Sequence, residues 1–107
     1  MRRIVLLASA RSDLVDILAY ITQRSGSLPV GRRFVKEIRG QIVKLASLPG
    51  SLGRARPDLK PDIRSVAFKG YVIFFRYRRE VFEVVNILEG HRDIASFYGE
   101  DELPPTP

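Results

Sequence analysis

Two apolar runs separated by a charged turn constrain this chain more than any other feature. Tyr71-Val72-Ile73-Phe74-Phe75 and Val81-Phe82-Glu83-Val84-Val85-Asn86-Ile87-Leu88 flank Arg78-Arg79-Glu80. β-Branched and aromatic side chains dominate both runs, and each is too short for a typical amphipathic helix. A β-hairpin is therefore predicted, although neither run alternates strictly. A third strand from Ile63 to Phe68 enters through Lys69-Gly70 and completes an antiparallel meander. The last strand leaves through Gly90-His91-Arg92-Asp93.

Such a meander needs a second layer, and the upstream sequence offers one. Arg2 to Ala8 reads as a first strand. Leu14, Ile17, Leu18 and Ile21 then follow at i, i+3, i+4 and i+7, which draws one apolar helix face. Ser9 or Ser12 is the expected N-cap, with Asp13 in the first turn, and Ser25-Gly26 the expected end. Ser27-Leu28-Pro29 restarts a helix, proline suiting a first turn. Phe34, Ile38, Ile42, Leu45 and Leu48 carry its apolar stripe to Pro49-Gly50. Gly40 within it is either a tolerated cost of up to ~1 kcal/mol or a point of close helix contact. Two amphipathic helices with a short joint form a helical hairpin that must cover a sheet face.

The expected fold is thus α+β with the order β-α-α-β-β-β, an N-terminal helical hairpin packed on an antiparallel sheet. Ser51 to Asp62 reads as a connector or an arginine-rich contact surface, and Ile94 to Tyr98 as a short C-terminal helix. At 107 residues one core suffices, since a chain of this size buries roughly 60–70% of its unfolded surface. One domain over 1–98 and an acidic, proline-rich tail over 99–107 are expected. The first residues mimic a signal peptide, but Ile4 to Ala8 is shorter than the ~7–15 residues an apolar signal core needs. No run approaches the ~18 residues of a membrane span, so a cytoplasmic location is expected.

Charge is polarised. Residues 1–80 hold 17 of the 18 lysines and arginines against 6 acids, whereas the remainder holds only Arg92 against 6 acids. A basic body of this kind meets nucleic acid or an acidic protein segment, or is simply a solvated surface. The chain has no cysteine and one histidine, His91, which excludes disulfides, thiolate chemistry and histidine-paired catalysis. No metal site and no cofactor are expected: Asp13 with Asp16 and Glu100 with Asp101 read as first-turn and tail residues, and no glycine-rich phosphate loop follows a strand. Arg76, Arg78 and Arg79 crowd the hairpin tip, where they either discourage edge pairing or grip a phosphate or carboxylate.

The order of elements, the segment Arg64-Ser65-x-x-Phe68-Lys69-Gly70-Tyr71-Val72-Ile73-Phe74-Phe75-Arg76, its ending in Gly90-His91-Arg92-Asp93, and the opening Ser12-Asp13-Leu14-x-x-Ile17-x-x-Tyr20-Ile21 resemble the ParE branch of the RelE/ParE toxin superfamily. The resemblance implies a bacterial toxin that poisons DNA gyrase and blocks replication, as in plasmid stabilisation. It also implies a ParD-like antitoxin that wraps the toxin and itself provides the DNA contact. The sister branch cleaves mRNA on the ribosome. Against that branch Arg64, Arg92 and Tyr98 fall where it keeps functional residues, while Val66 and Val72 stand where it keeps cations. Losing donors to a phosphorane-like state removes ~3 kcal/mol or more each. A non-enzymatic toxin is therefore expected, contacting its partners through Arg64, Arg76, Arg92, Asp93 and Tyr98. The alternatives are an mRNA interferase using Arg64, Arg92 and Tyr98, or a non-toxic member of the family.

Overall fold

Lys69 and Gly70 both take positive φ, 49° and 86°, the twist a two-residue hairpin loop needs to match its flanking strands. In the computed structural model, which describes residues 2–48, 54–56 and 62–90, this turn joins two strands of the predicted meander. The elements run β1 (Arg3–Leu6), α1 (Ala8–Ser25), α2 (Leu28–Ser47), β2 (Arg54–Ala55), β3 (Arg64–Phe68), β4 (Tyr71–Arg78) and β5 (Val81–Glu89). The order β-α-α-β-β-β is as expected, with the two-residue β2 added inside the segment read as a connector. The short helix expected at Ile94 to Tyr98 and the tail at 99–107 lie outside the described residues.

The sheet order is β1-β5-β4-β3-β2. β2, β3, β4 and β5 pair antiparallel, as the meander requires. β1 differs: it lies parallel to β5, with Arg3 opposite Val81 and Leu6 opposite Val84. A parallel neighbour needs a long connection, and here the helical hairpin and the first strands of the meander supply it.

Strict alternation fails in β4 because the sheet is covered on both faces. Phe74 and Phe75 are adjacent and both fully buried, so they must serve opposite sides. Tyr71, Ile73, Phe75, Phe82, Val84 and Ile87 join Ala10, Leu14 and Ile17 of α1 and Ile38, Ile42, Leu45 and Ala46 of α2 in the main core. Ring packing fixes its centre, with Phe75 and Phe82 centroids 4.8 Å apart and Phe34 edge-on to Tyr71 at 5.6 Å. Ile63, Phe74 and Leu88, flanked by Val72 and Val85, form a smaller cluster on the other face.

One residue breaks the β4–β5 ladder. Phe74 pairs with Asn86 but Phe75 pairs with Val84, which leaves Val85 as the extra residue of a β-bulge. The bulge lies just past Val84, where β1 ends its pairing and Leu7 N–H donates to the Val84 carbonyl at 3.0 Å.

The helix ends mostly follow local chemistry. Gly26 takes φ 71° and its N–H donates to the Thr22 carbonyl, the expected left-handed stop. The Ser27 hydroxyl accepts from Val30 N–H at 3.3 Å and Pro29 sits in the first turn of α2. The start of α1 corrects the expectation. Leu7 occupies the N-cap with no side-chain bond, the helix begins at Ala8, and Asp13 falls beyond its first turn. Ser9 does not cap; its hydroxyl donates to the Val85 carbonyl at 2.6 Å.

The close helix contact lies at Gly31 rather than Gly40. A Cβ on Gly31 would sit 2.3 Å from Thr22 Oγ1, whereas one on Gly40 would meet nothing within 4 Å. Glycine at 31 therefore sets how closely α2 crosses α1.

Candidate functional site

Of the five predicted contact residues, Arg64 and Arg76 lie among the described residues, and Arg92, Asp93 and Tyr98 lie outside them. The sheet holds the two arginines apart. Arg64 on β3 stands opposite Phe75, a member of the helix-side core. Arg76 follows Phe75 on β4 and so projects from the other face.

Arg76 is engaged within the fold. Its Nε donates to Glu83 Oε1 directly across the hairpin, and its guanidinium lies 3.8 Å from Asp62 Oδ2. Arg78 shares the same Asp62 oxygen at 3.5 Å. Two cations thus face two carboxylates on this surface, which leaves little net charge for an external anion. Of the three arginines read from sequence as a cluster at the hairpin tip, Arg76 and Arg78 are thus paired within the fold.

The two apolar positions that argued against phosphate chemistry also separate. Val66 pairs with Ile73 and packs on the helix-side core, whereas Val72 pairs with Ala67 and packs with Phe74 and Leu88. On the face that carries Arg64, the β4 row reads Tyr71, Ile73, Phe75 and Tyr77. That row holds no cation.

Sequence reasoning missed the seam between α1 and β5. Asp13 Oδ2 accepts from Ile87 N–H at 2.9 Å and from Asn86 Nδ2 at 3.1 Å. Together with the Ser9 bond to Val85, these contacts satisfy the bulged stretch of β5 beyond the end of β1. Asn86, a buried polar residue inside an apolar run, was the signal in the sequence. Below this seam a groove of about 220 Å³ is lined by Asp13, Asp16, Tyr20, Tyr71 and Glu89. Burial pushes the Tyr71 phenol pKa above its ordinary value, and the nearby Glu89 and Tyr20 add to the shift.

Among the described residues no three His, Cys, Asp or Glu side chains are grouped to hold a metal ion. No described helix is long and apolar enough to cross a membrane.

A helical hairpin packed on a mixed, mainly antiparallel sheet places the chain in the class of small two-layer α+β proteins. The family model described as "ParE toxin of type II toxin-antitoxin system, parDE" matches residues 4–94. The chain belongs to this family and is the toxin component of a ParE-type toxin–antitoxin system. It is 25% identical over 100 residues to Toxin ParE3 of Caulobacter vibrioides, across 94% of this chain and 98% of that relative. A solved structure titled "Chromosomal ParDE TA system from P. aeruginosa" shares the fold, with a TM-score of 0.71 at 20% identity, over 83% of this chain and 96% of that one.

Proposed function

We propose that this toxin arrests growth by binding and poisoning DNA gyrase, without catalysis of its own, and that a ParD-like antitoxin neutralises it. The observation that carries this reading is the row beside Arg64. Cleavage of RNA by 2′-OH attack requires several positioned donors around one phosphate. On the Arg64 face of the sheet the neighbouring strand instead offers Tyr71, Ile73, Phe75 and Tyr77, packed against the core. Arg64 on β3, with the Arg2 guanidinium occupied over the Tyr77 ring at 4.4 Å, suits recognition better than phosphoryl chemistry. Membership of the ParE family supports the same choice.

Induction in cells separates the two activities. Gyrase poisoning produces an SOS response and gyrase-linked DNA breaks, both relieved by co-expressing the cognate antitoxin. Cleaved transcripts with replication intact would instead establish the interferase reading, with Arg64, Arg92 and Tyr98 as its first candidates for substitution.

A further inference from the structure

α2 buries one side against the core and presents the other as a nearly uncompensated positive surface. Arg32, Arg33, Lys36, Arg39 and Lys44 are all exposed. None of these five makes an ion pair with a described residue. The one acid among them, Glu37, is held 2.9 Å from Lys69 of the β3–β4 turn, and that lysine cancels its charge. This contrasts with the hairpin, where Arg76 and Arg78 each face a carboxylate. The difference between the two arginine-rich surfaces is one of pairing.

Helical geometry turns these residues into an array. Arg32, Lys36 and Arg39 recur at i, i+4 and i+7, so they form one row along about 10 Å of helix. Arg33 and Lys44 lie together to one side of it, about a third of the way around the helix. The buried positions Gly31, Ile38, Ile42 and Leu45 fix the helix from behind, so the array is presented on a rigid element. We propose that this face of α2 docks the phosphate backbone of duplex DNA, independently of sequence.

The composition of the face selects a polyanion over an acidic protein segment. Protein interfaces are organised around apolar or aromatic anchors that leave water together. Between Arg32 and Lys44 the large apolar side chain exposed among the cations is Val43, while Leu28 and Leu48 are exposed one turn beyond either end of the array and no aromatic ring is exposed on α2. A nucleic-acid backbone needs no such anchor, since charge neutralisation and counterion release supply the affinity. The helix is also about as wide as a DNA major groove. Direct contact by the toxin goes beyond the expectation that the antitoxin alone touches DNA. It does not rest on the gyrase reading, because the test contains no gyrase.

The test is fluorescence anisotropy of the full chain with two labelled duplexes of unrelated sequence, titrated with salt from about 50 mM upward. Both duplexes should bind equally, with affinity falling steeply as salt rises. The triple variant Arg32→Gln, Lys36→Gln, Arg39→Gln should bind at least tenfold more weakly. Its slope of log affinity against log salt should fall by two to three, at ~0.9 for each phosphate no longer neutralised. Arg79→Gln, at the far hairpin, should bind as the parent does. Should the triple variant not fold, Arg39→Gln alone should lower the slope by about one. Wild-type affinity and slope in these variants, or no binding by the parent at low salt, overturns the proposal. So does poly-glutamate binding that these substitutions abolish while DNA binding persists, which would assign the face to an acidic protein.

Discussion

Asp13 of α1 and Ile87 of β5 are joined by a 2.9 Å hydrogen bond from the Ile87 N–H to the Asp13 carboxylate. The bond falls where β5 has passed the end of β1 and has no strand on that side. A second bond from Asn86 reaches the same oxygen, so one carboxylate serves as the missing neighbour. Without it, a partly buried backbone donor loses its acceptor.

Asp13→Ala is therefore expected to destabilise the fold by about 1–3 kcal/mol, the range for losing bonds to a charged acceptor. Asp13→Asn, which keeps one acceptor oxygen, should lose less. Asp16→Ala, one helical turn along and exposed, should change stability by no more than about 0.5 kcal/mol. Urea unfolding of the three variants checks the ranking.

The crossing of the two helices makes a sharper contrast. Gly31→Ala places a methyl group 2.3 Å from Thr22 Oγ1 and 3.1 Å from the Leu18 carbonyl oxygen. The stiff threonine rotamer resists moving, so a loss of about 1–3 kcal/mol is expected. Thr22 Oγ1 is buried with no hydrogen-bond partner, so Thr22→Ala should be near neutral and should recover part of the Gly31→Ala loss. Gly40→Ala, in open space on the same helix, should stabilise by up to about 1 kcal/mol. Thermal unfolding distinguishes these outcomes directly.

Across the hairpin, Arg76 and Glu83 are a half-buried pair, with side chains 23% and 15% exposed. Arg76→Met strands the Glu83 carboxylate and should cost about 1–2 kcal/mol, less than the ~3–5 of a fully buried pair. Replacing both residues with methionine should recover most of that loss, because no charge is then left without its partner. A double-mutant cycle by denaturant unfolding measures the coupling.

How much of this was legible depended on whether the cause was local. Gly26, Ser27 with Pro29, and Lys69-Gly70 each act within a few residues, and the helix stop, helix start and hairpin turn fell where the sequence placed them. Of the stripe Phe34, Ile38, Ile42, Leu45 and Leu48, the middle three are buried and Phe34 packs partly against the core, whereas Leu48, at the C-cap, is exposed. The parallel pairing of β1 with β5 joins residues far apart in the chain, Arg3 with Val81, and nothing in Ile4-Val5-Leu6 states a direction. Ser9 misled for the same reason: its local alternative was to cap α1, and the Val85 carbonyl freed by a distant bulge outcompeted it. For the site, sequence located the arginines but not their partners. For Arg76 that partner is Glu83, which hairpin register sets opposite it.

Tyr71 provides a test that reads the groove itself. Its phenol is raised above 10.0, first by burial and then by Glu89 and Tyr20. Burial disfavours the phenolate because it loses water, and the Glu89 carboxylate repels it. The sign follows from proton binding: between the unfolded value near 10 and the higher folded value, the native chain holds a proton that the unfolded chain has released. Stability is thus constant in this respect below about pH 10 and falls as pH rises through that window. Ultraviolet titration of the phenols should show a late-ionising component that Tyr71→Phe removes. Glu89→Gln should move its midpoint down without restoring the ordinary value, since the larger cause, burial, persists. A Tyr71 midpoint unchanged by Glu89→Gln would mean that the Glu89 carboxylate does not face the ring, leaving Asp13 and Asp16 as the acids of the groove.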